Sequence, residues 1–115
     1  MLQTVIDTIP SRISWKDEEL FFLGCNLAFA RDAGVASPHD LIGKDDFQIL
    51  CKGQAEAYRA DDRSVMESGT ARLAYEESQT TVDDDMIWLR TSKVPLRNET
   101  GAIIGVLGIY EDITC

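Results

Sequence analysis

Tyr110 and Glu77 are the two side chains whose types and strand positions could do chemistry together. Tyr110 closes an apolar run that begins at Ala102 and shares the parity of Ile104, Val106 and Gly108, while Glu77 is the acid whose strand parity turns it the same way. A buried carboxylate beside a tyrosine donor is the apparatus of a small α+β isomerase. The remaining acids point away from catalysis. Asp83, Asp84 and Asp85 are not followed by the glycine and bidentate glutamate of an EF-hand and read as a solvated loop, with Glu76 of the same kind. Asp61 and Asp62 stand beside Arg59 and Arg63 on a helical stretch, a pattern of structural charge pairing. His39 follows Pro38 in a turn exposed to solvent. Cys25, Cys51 and Cys115 are odd in number and lack Cys-x-x-Cys spacing, so reduced thiols are expected, with no disulfide framework and no metal site.

The 115 residues suit one domain with a single core, and an apolar share of 44% is ordinary for a globular protein. Twenty acidic against eleven basic residues give a formal charge of −9, which repels phosphate backbones and anionic bilayers. No nucleic-acid partner is expected for this segment. No apolar run approaches the roughly 18 residues of a spanning helix, and no signal-peptide pattern precedes the domain, so no direct membrane insertion and a cytoplasmic location are expected. The chain opens inside an apolar helical pattern and stops one residue after Asp112-Ile113-Thr114, which reads as a piece of a longer protein.

Several elements must position these residues. Leu2, Val5, Ile6 and Ile9 form the stripe of a short amphipathic helix ended by Pro10, too short to stand alone, so it must pack on the domain or pair with its copy in a second chain. Residues 1–10 are thus an N-terminal helix and linker, and residues 11–115 one domain. Ile13 and Trp15 alternate with polar neighbours, Asp17-Glu18-Glu19 turns the chain, and residues 20–25 return as a second strand. Asn26 and Gly34 bracket a short helix as N-cap and C-terminal stop. Further turns begin at Ser37-Pro38 and at Asp45-Asp46, the second carrying Phe47, Ile49 and Leu50. Residues 55–68 are the strongest helix, with Ala55, Tyr58, Val65 and Met66 as its stripe and Gly69 as its stop. A strand around residues 71–75 and a polar loop at residues 79–85 lead into a long hairpin, residues 86–96 and 102–109, turned by Arg97-Asn98-Glu99-Thr100-Gly101. The order predicts an α+β fold: a five-stranded antiparallel sheet with short helices on one face and a pocket between the layers.

Four segments give this order a resemblance. Trp15-Lys16-Asp17, Gly24-Cys25-Asn26-Leu27-Ala28-Phe29, Asp40-Leu41-Ile42-Gly43-Lys44, and the stretch 88–114 that closes on Asp112-Ile113-Thr114 together resemble the PAS family of sensory domains over nearly the whole chain. The resemblance implies a PAS fold and a non-catalytic sensory and dimerisation module, set upstream of an output domain in the same chain, first of all a histidine kinase of a two-component system. It implies that Asp112 and Thr114 begin the connector that relays the signal. It also implies a homodimer, with Leu2, Val5, Ile6, Ile9, Trp88 and Leu107 on the surface shared by the N-terminal helix and the outer sheet face.

Members of the family differ in what fills the pocket. Covalent flavin photochemistry needs a reactive cysteine where this chain has Asp46-Phe47-Gln48-Ile49, and Cys51 lies beyond that motif. Haem-binding members use a histidine on the long helix, and residues 55–68 contain none. No cofactor is therefore predicted, with a small molecule or non-covalent flavin left open. Period two puts Leu73, Tyr75, Leu89, Thr91, Val106 and Tyr110 on the inward face, and Phe29, Phe47 and Tyr58 would close the pocket from the helical side. Tyr110 is the foremost ligand contact by resemblance. Two alternatives remain: a pure interaction domain whose core these side chains fill, and the isomerase.

Overall fold

The computed structural model describes residues 2–50, 52–80 and 83–114. Cys51 and Cys115, expected to be reduced thiols, lie outside the described residues. Helix α1 (Leu2–Asp7) leads into strands β1 (Arg12–Asp17) and β2 (Phe22–Cys25), helix α2 (Leu27–Ala33), two 3-10 turns (Pro38–Leu41 and Asp46–Gln48) and helix α3 (Lys52–Ser68). Strands β3 (Arg72–Thr80), β4 (Met86–Arg97) and β5 (Ile103–Asp112) complete one five-stranded antiparallel sheet in the order β2-β1-β5-β4-β3. The α+β architecture and strand count expected from the sequence are those observed. β3 runs on to Thr80, where a loop was expected from residue 79, because its polar end pairs with Trp88, Ile87 and Met86 of β4.

Asn26 joins three elements through one buried side chain. Its Oδ1 accepts from the N–H groups of Phe29 and Ile13, capping α2 and holding β1, while its Nδ2 donates to the carbonyls of Ile6, Ile9 and Ser11. Helix α1 therefore docks through polar contacts: Gln3 Nε2 donates to the Cys25 carbonyl at 2.9 Å, and Asp7 Oδ1 accepts from Leu27 N at 2.7 Å. Of the two expectations, packing on the domain or pairing with a copy, the first is met by these polar bonds and not by the apolar stripe, of which Leu2 and Val5 are 74% and 51% exposed and only Ile6 is half-buried.

The core lies on the inner sheet face in two apolar clusters. Phe22, Cys25, Phe29, Ala30 and Leu41 form one, with Tyr110 packed against it; Leu20, Val65 and Val106 form the other. Burial lifts the Cys25 thiol to about 11, so it stays protonated as a small apolar side chain. Along β5 the inward positions are Val106, Gly108 and Tyr110, and Gly108 lies in register with Ser14 on one side and Lys93 on the other. Having no side chain there, β5 leaves a gap between the clusters. Gly105 has a different reason: a Cβ on it would come within 2.0 Å of the Lys16 carbonyl oxygen.

Candidate functional site

The gap at Gly108 opens into a cavity of about 80 Å³ between sheet and helices. Its sheet wall carries Leu89 and Thr91 of β4 and Tyr110 of β5, and Phe29 of α2 and Tyr58 of α3 face them. The rest of the wall mixes apolar side chains with five charged ones, Lys16, Asp32, Asp46, Glu77 and Lys93. Lys16 and Lys93 project inward from β1 and β4 and are only 6% and 7% exposed.

Two buried aspartates hold these ammonium groups. Lys16 Nζ lies 2.6 Å from Asp46 Oδ2 and 2.5 Å from Asp62 Oδ2, and Lys93 Nζ lies 2.5 Å from Asp62 Oδ1. Lys93 also donates to the Tyr58 carbonyl at 3.4 Å, and each lysine sits over an aromatic ring, Phe22 for Lys16 and Tyr58 for Lys93. Burial alone would raise the Asp62 carboxyl, but the ammonium groups of Lys93 and Lys16 outweigh it and hold Asp62 below the usual carboxylate range. Asp46, with one ammonium partner instead of two, is pushed up by burial. The network ties β1 and β4 to α3 and to the second 3-10 turn.

Glu77 lines the cavity from β3, and its Oε1 accepts from Thr91 Oγ1 at 2.8 Å. Burial raises its carboxyl, and the bond from Thr91 opposes the rise without cancelling it. Tyr110 turns its hydroxyl to Asp32 Oδ2 at 3.2 Å, an oxygen that also takes Arg12 Nε at 2.9 Å. Burial, followed by the Asp32 charge, raises the phenol, so it stays a neutral donor.

Several expectations for the wall are corrected. Leu73 is 66% exposed, because β3 shifts register between Arg72 and Tyr75, with Ala74 at a φ of 53°, and the parity counted from residue 71 fails there. Tyr75 keeps the inward side but sits beneath the Arg72 guanidinium, 3.7 Å from its ring centre, rather than on the cavity wall. Val106 is buried in the second cluster and does not reach the cavity. Phe47 faces outward at 46% exposure and is covered by Arg59. Asp62 turns from the expected Arg59 and Arg63 to the two lysines, and Asp61 meets Arg72 at 3.4 Å. Phe29, Tyr58, Leu89, Thr91 and Tyr110 do line the cavity.

Lys16, Lys93, Asp32, Asp46 and Asp62 are the site residues that sequence reasoning missed. The signal for three of them was present: Lys16 alternates with Trp15, Lys93 extends the set Leu89 and Thr91, and Asp62 falls on the stripe of Ala55, Tyr58 and Val65. Reading inward positions as apolar concealed them. Among the described residues no group of three or more His, Cys, Asp and Glu side chains is disposed to hold a metal ion, and no helix is long and apolar enough to cross a membrane.

Comparisons bear on this geometry. A family model described as the PAS fold matches residues 6–115. No curated protein matches the chain. Among solved structures, the VqmA dimer of Vibrio cholerae, a LuxR-type receptor with a target DNA, superposes with a TM-score of 0.86 at 24% identity, over 99% of this chain and 52% of that one. VqmA bound to DPO gives 0.85 at 23% identity, over 98% and 58%. A PAS domain from Colwellia psychrerythraea gives 0.75 at 23% identity, over 96% and 92%. At these identities the likeness is one of fold, and the chain spans about half the length of the VqmA chain in the first of these structures.

Proposed function

Because the chain belongs to the PAS family, we propose that it is the sensory and dimerisation module of a longer signal-transduction protein, binding a small molecule in the cavity and relaying its presence along β4 and β5. The observation that carries this reading is the clamp at the end of β5. Trp88 N donates to Thr114 Oγ1 at 2.8 Å, Ile113 N donates to the Trp88 carbonyl at 2.9 Å, and Thr114 N donates to Asp112 Oδ1 at 2.8 Å. The strand that presents Leu89, Thr91 and Lys93 to the cavity thus also grips Asp112-Ile113-Thr114 at its first turn of register. A shift of β4 at the cavity would move the start of the connector.

The module itself is not an enzyme in this reading. Tyr110, which the isomerase would use as a donor, is bonded to Asp32 at the cavity edge. A volume of about 80 Å³ argues against a filled interaction core, and equally against flavin or haem, since pockets for drug-sized ligands measure about 300–1,000 Å³. The output domain in the same chain is, by this reading, a histidine kinase. A DNA-binding output is the second choice, favoured by VqmA, which has a target DNA and of which this chain matches about half. The charge of −9 argues that this segment takes no part in nucleic-acid contact; a cytoplasmic location is part of the same proposal.

Thr114→Val together with Asp112→Ala in the full-length protein tests the relay. Output is predicted to become insensitive to the stimulus while the isolated chain keeps its thermal midpoint within about 2 °C. Unchanged stimulus dependence would remove the clamp from the mechanism.

A further inference from the structure

We infer that the cavity takes a small organic cation bearing N–H donors, an ammonium or amidinium group, and that Glu77 is its counter-charge. This rests on the reading of the cavity as a ligand site and names the class of ligand. The walls carry two ammonium groups, Lys16 and Lys93, and the carboxyls of Asp46 and Glu77; Asp62 lies behind the lysines, and Asp32 at the edge is answered by Arg12. The lysines spend their short contacts on Asp46 and Asp62. Neither reaches Glu77 within ion-pair distance, and among the described residues the hydrogen-bond partner of Glu77 is the neutral hydroxyl of Thr91. One negative charge is left over, half-buried and on the cavity wall.

Each alternative class fits less well. An anion would meet lysines already held by aspartates and would add to the excess negative charge. A neutral amide could accept from the wall but would leave the excess charge uncompensated in a site sparing of water. A cation removes it. Thr91 occupies one lone pair of Glu77 Oε1, so Oε2 remains to receive a charge-assisted N–H bond. Phe29 and Tyr110, edge to face with centroids 5.9 Å apart, add an aromatic wall of the kind that favours cations.

Acetamidinium, acetamide and acetate share one shape and differ in charge, which makes them the probes. Each is titrated at matched ionic strength into the isotope-labelled chain while backbone amide resonances are followed. Acetamidinium is expected to saturate shifts at Glu77, Thr91 and Tyr110 with a dissociation constant about tenfold below that of acetamide. Glu77→Gln is expected to erase that preference, and Glu76→Gln, which removes an exposed carboxyl next to it outside the cavity lining, to keep it. Acetamide or acetate binding the same residues as tightly would overturn the cation while leaving the cavity as a ligand site. Silence from all three probes at these residues would overturn both.

Discussion

At the scale of single residues, Glu77 is the group whose ionisation is least provided for. Burial raises its carboxyl, so the folded chain holds that proton to a higher pH than the unfolded chain does. Below the ordinary carboxylate range both states are protonated and the group contributes nothing to stability. As pH rises from that range towards the raised folded value, the unfolded state ionises first and stability falls; above the folded value the whole cost is present. Glu77→Gln keeps an acceptor for Thr91 and removes the charge. It is predicted to be more stable than wild type near neutral pH, with the gap closing below about pH 4. Urea midpoints measured across that range check it, and a gap independent of pH would contradict it. Asp62 contributes in the opposite sense, its depressed carboxyl losing stability as pH falls, but it does so equally in both proteins and cancels from the difference.

At the scale of elements, α3 is fastened to the sheet mainly through charge. Asp62 is 2% exposed and accepts from lysines on β1 and β4, while Ala55 and Val65 supply the buried apolar part of the same helix face. Removing one partner from such a network leaves charge buried without an answer, so Asp62→Ala is predicted to lower stability by about 3–5 kcal/mol in chemical denaturation. A loss near the roughly 1 kcal/mol of an exposed ion pair would show that water relieves the lysines. These elements also show what was legible in the sequence. Asn26 and Gly34 bracket α2 as local rules require, because capping needs only a few neighbouring residues. The order of strands and helices followed from alternation and turn residues for the same reason. The cavity wall was legible only in part. The displacement of Leu73 depends on how β3 registers against β4, and the outward turn of Phe47 on a guanidinium twelve residues further along the chain. Those are properties of the packed sheet, and period two cannot contain them. The buried lysines obeyed the alternation but violate the usual exclusion of charge from a core, which a distant aspartate makes tolerable.

At the scale of the whole molecule, two surfaces expose apolar side chains. Helix α1 turns Leu2 and Val5 outward, Ile9 just beyond it is exposed too, and Trp88 stands 49% exposed on β4. A single exposed apolar residue is ordinary, but a helix docked by its polar side with its stripe bare leaves an apolar strip open to a second surface. If that surface is another copy of the chain, light scattering should give a dimer for residues 1–115 and a monomer once residues 1–10 are removed. A monomer for both would separate the stripe from self-association. The account as a whole rests on the cavity at Gly108 being a place for a small molecule. Native mass spectrometry of the chain prepared from cells without denaturation tests this most directly, beside Gly108→Val, whose side chain would enter the space β5 leaves open. The account predicts a one-to-one small-molecule adduct on the wild-type chain that is lost from the variant; the bare polypeptide mass for both, or the same adduct on both, would contradict it.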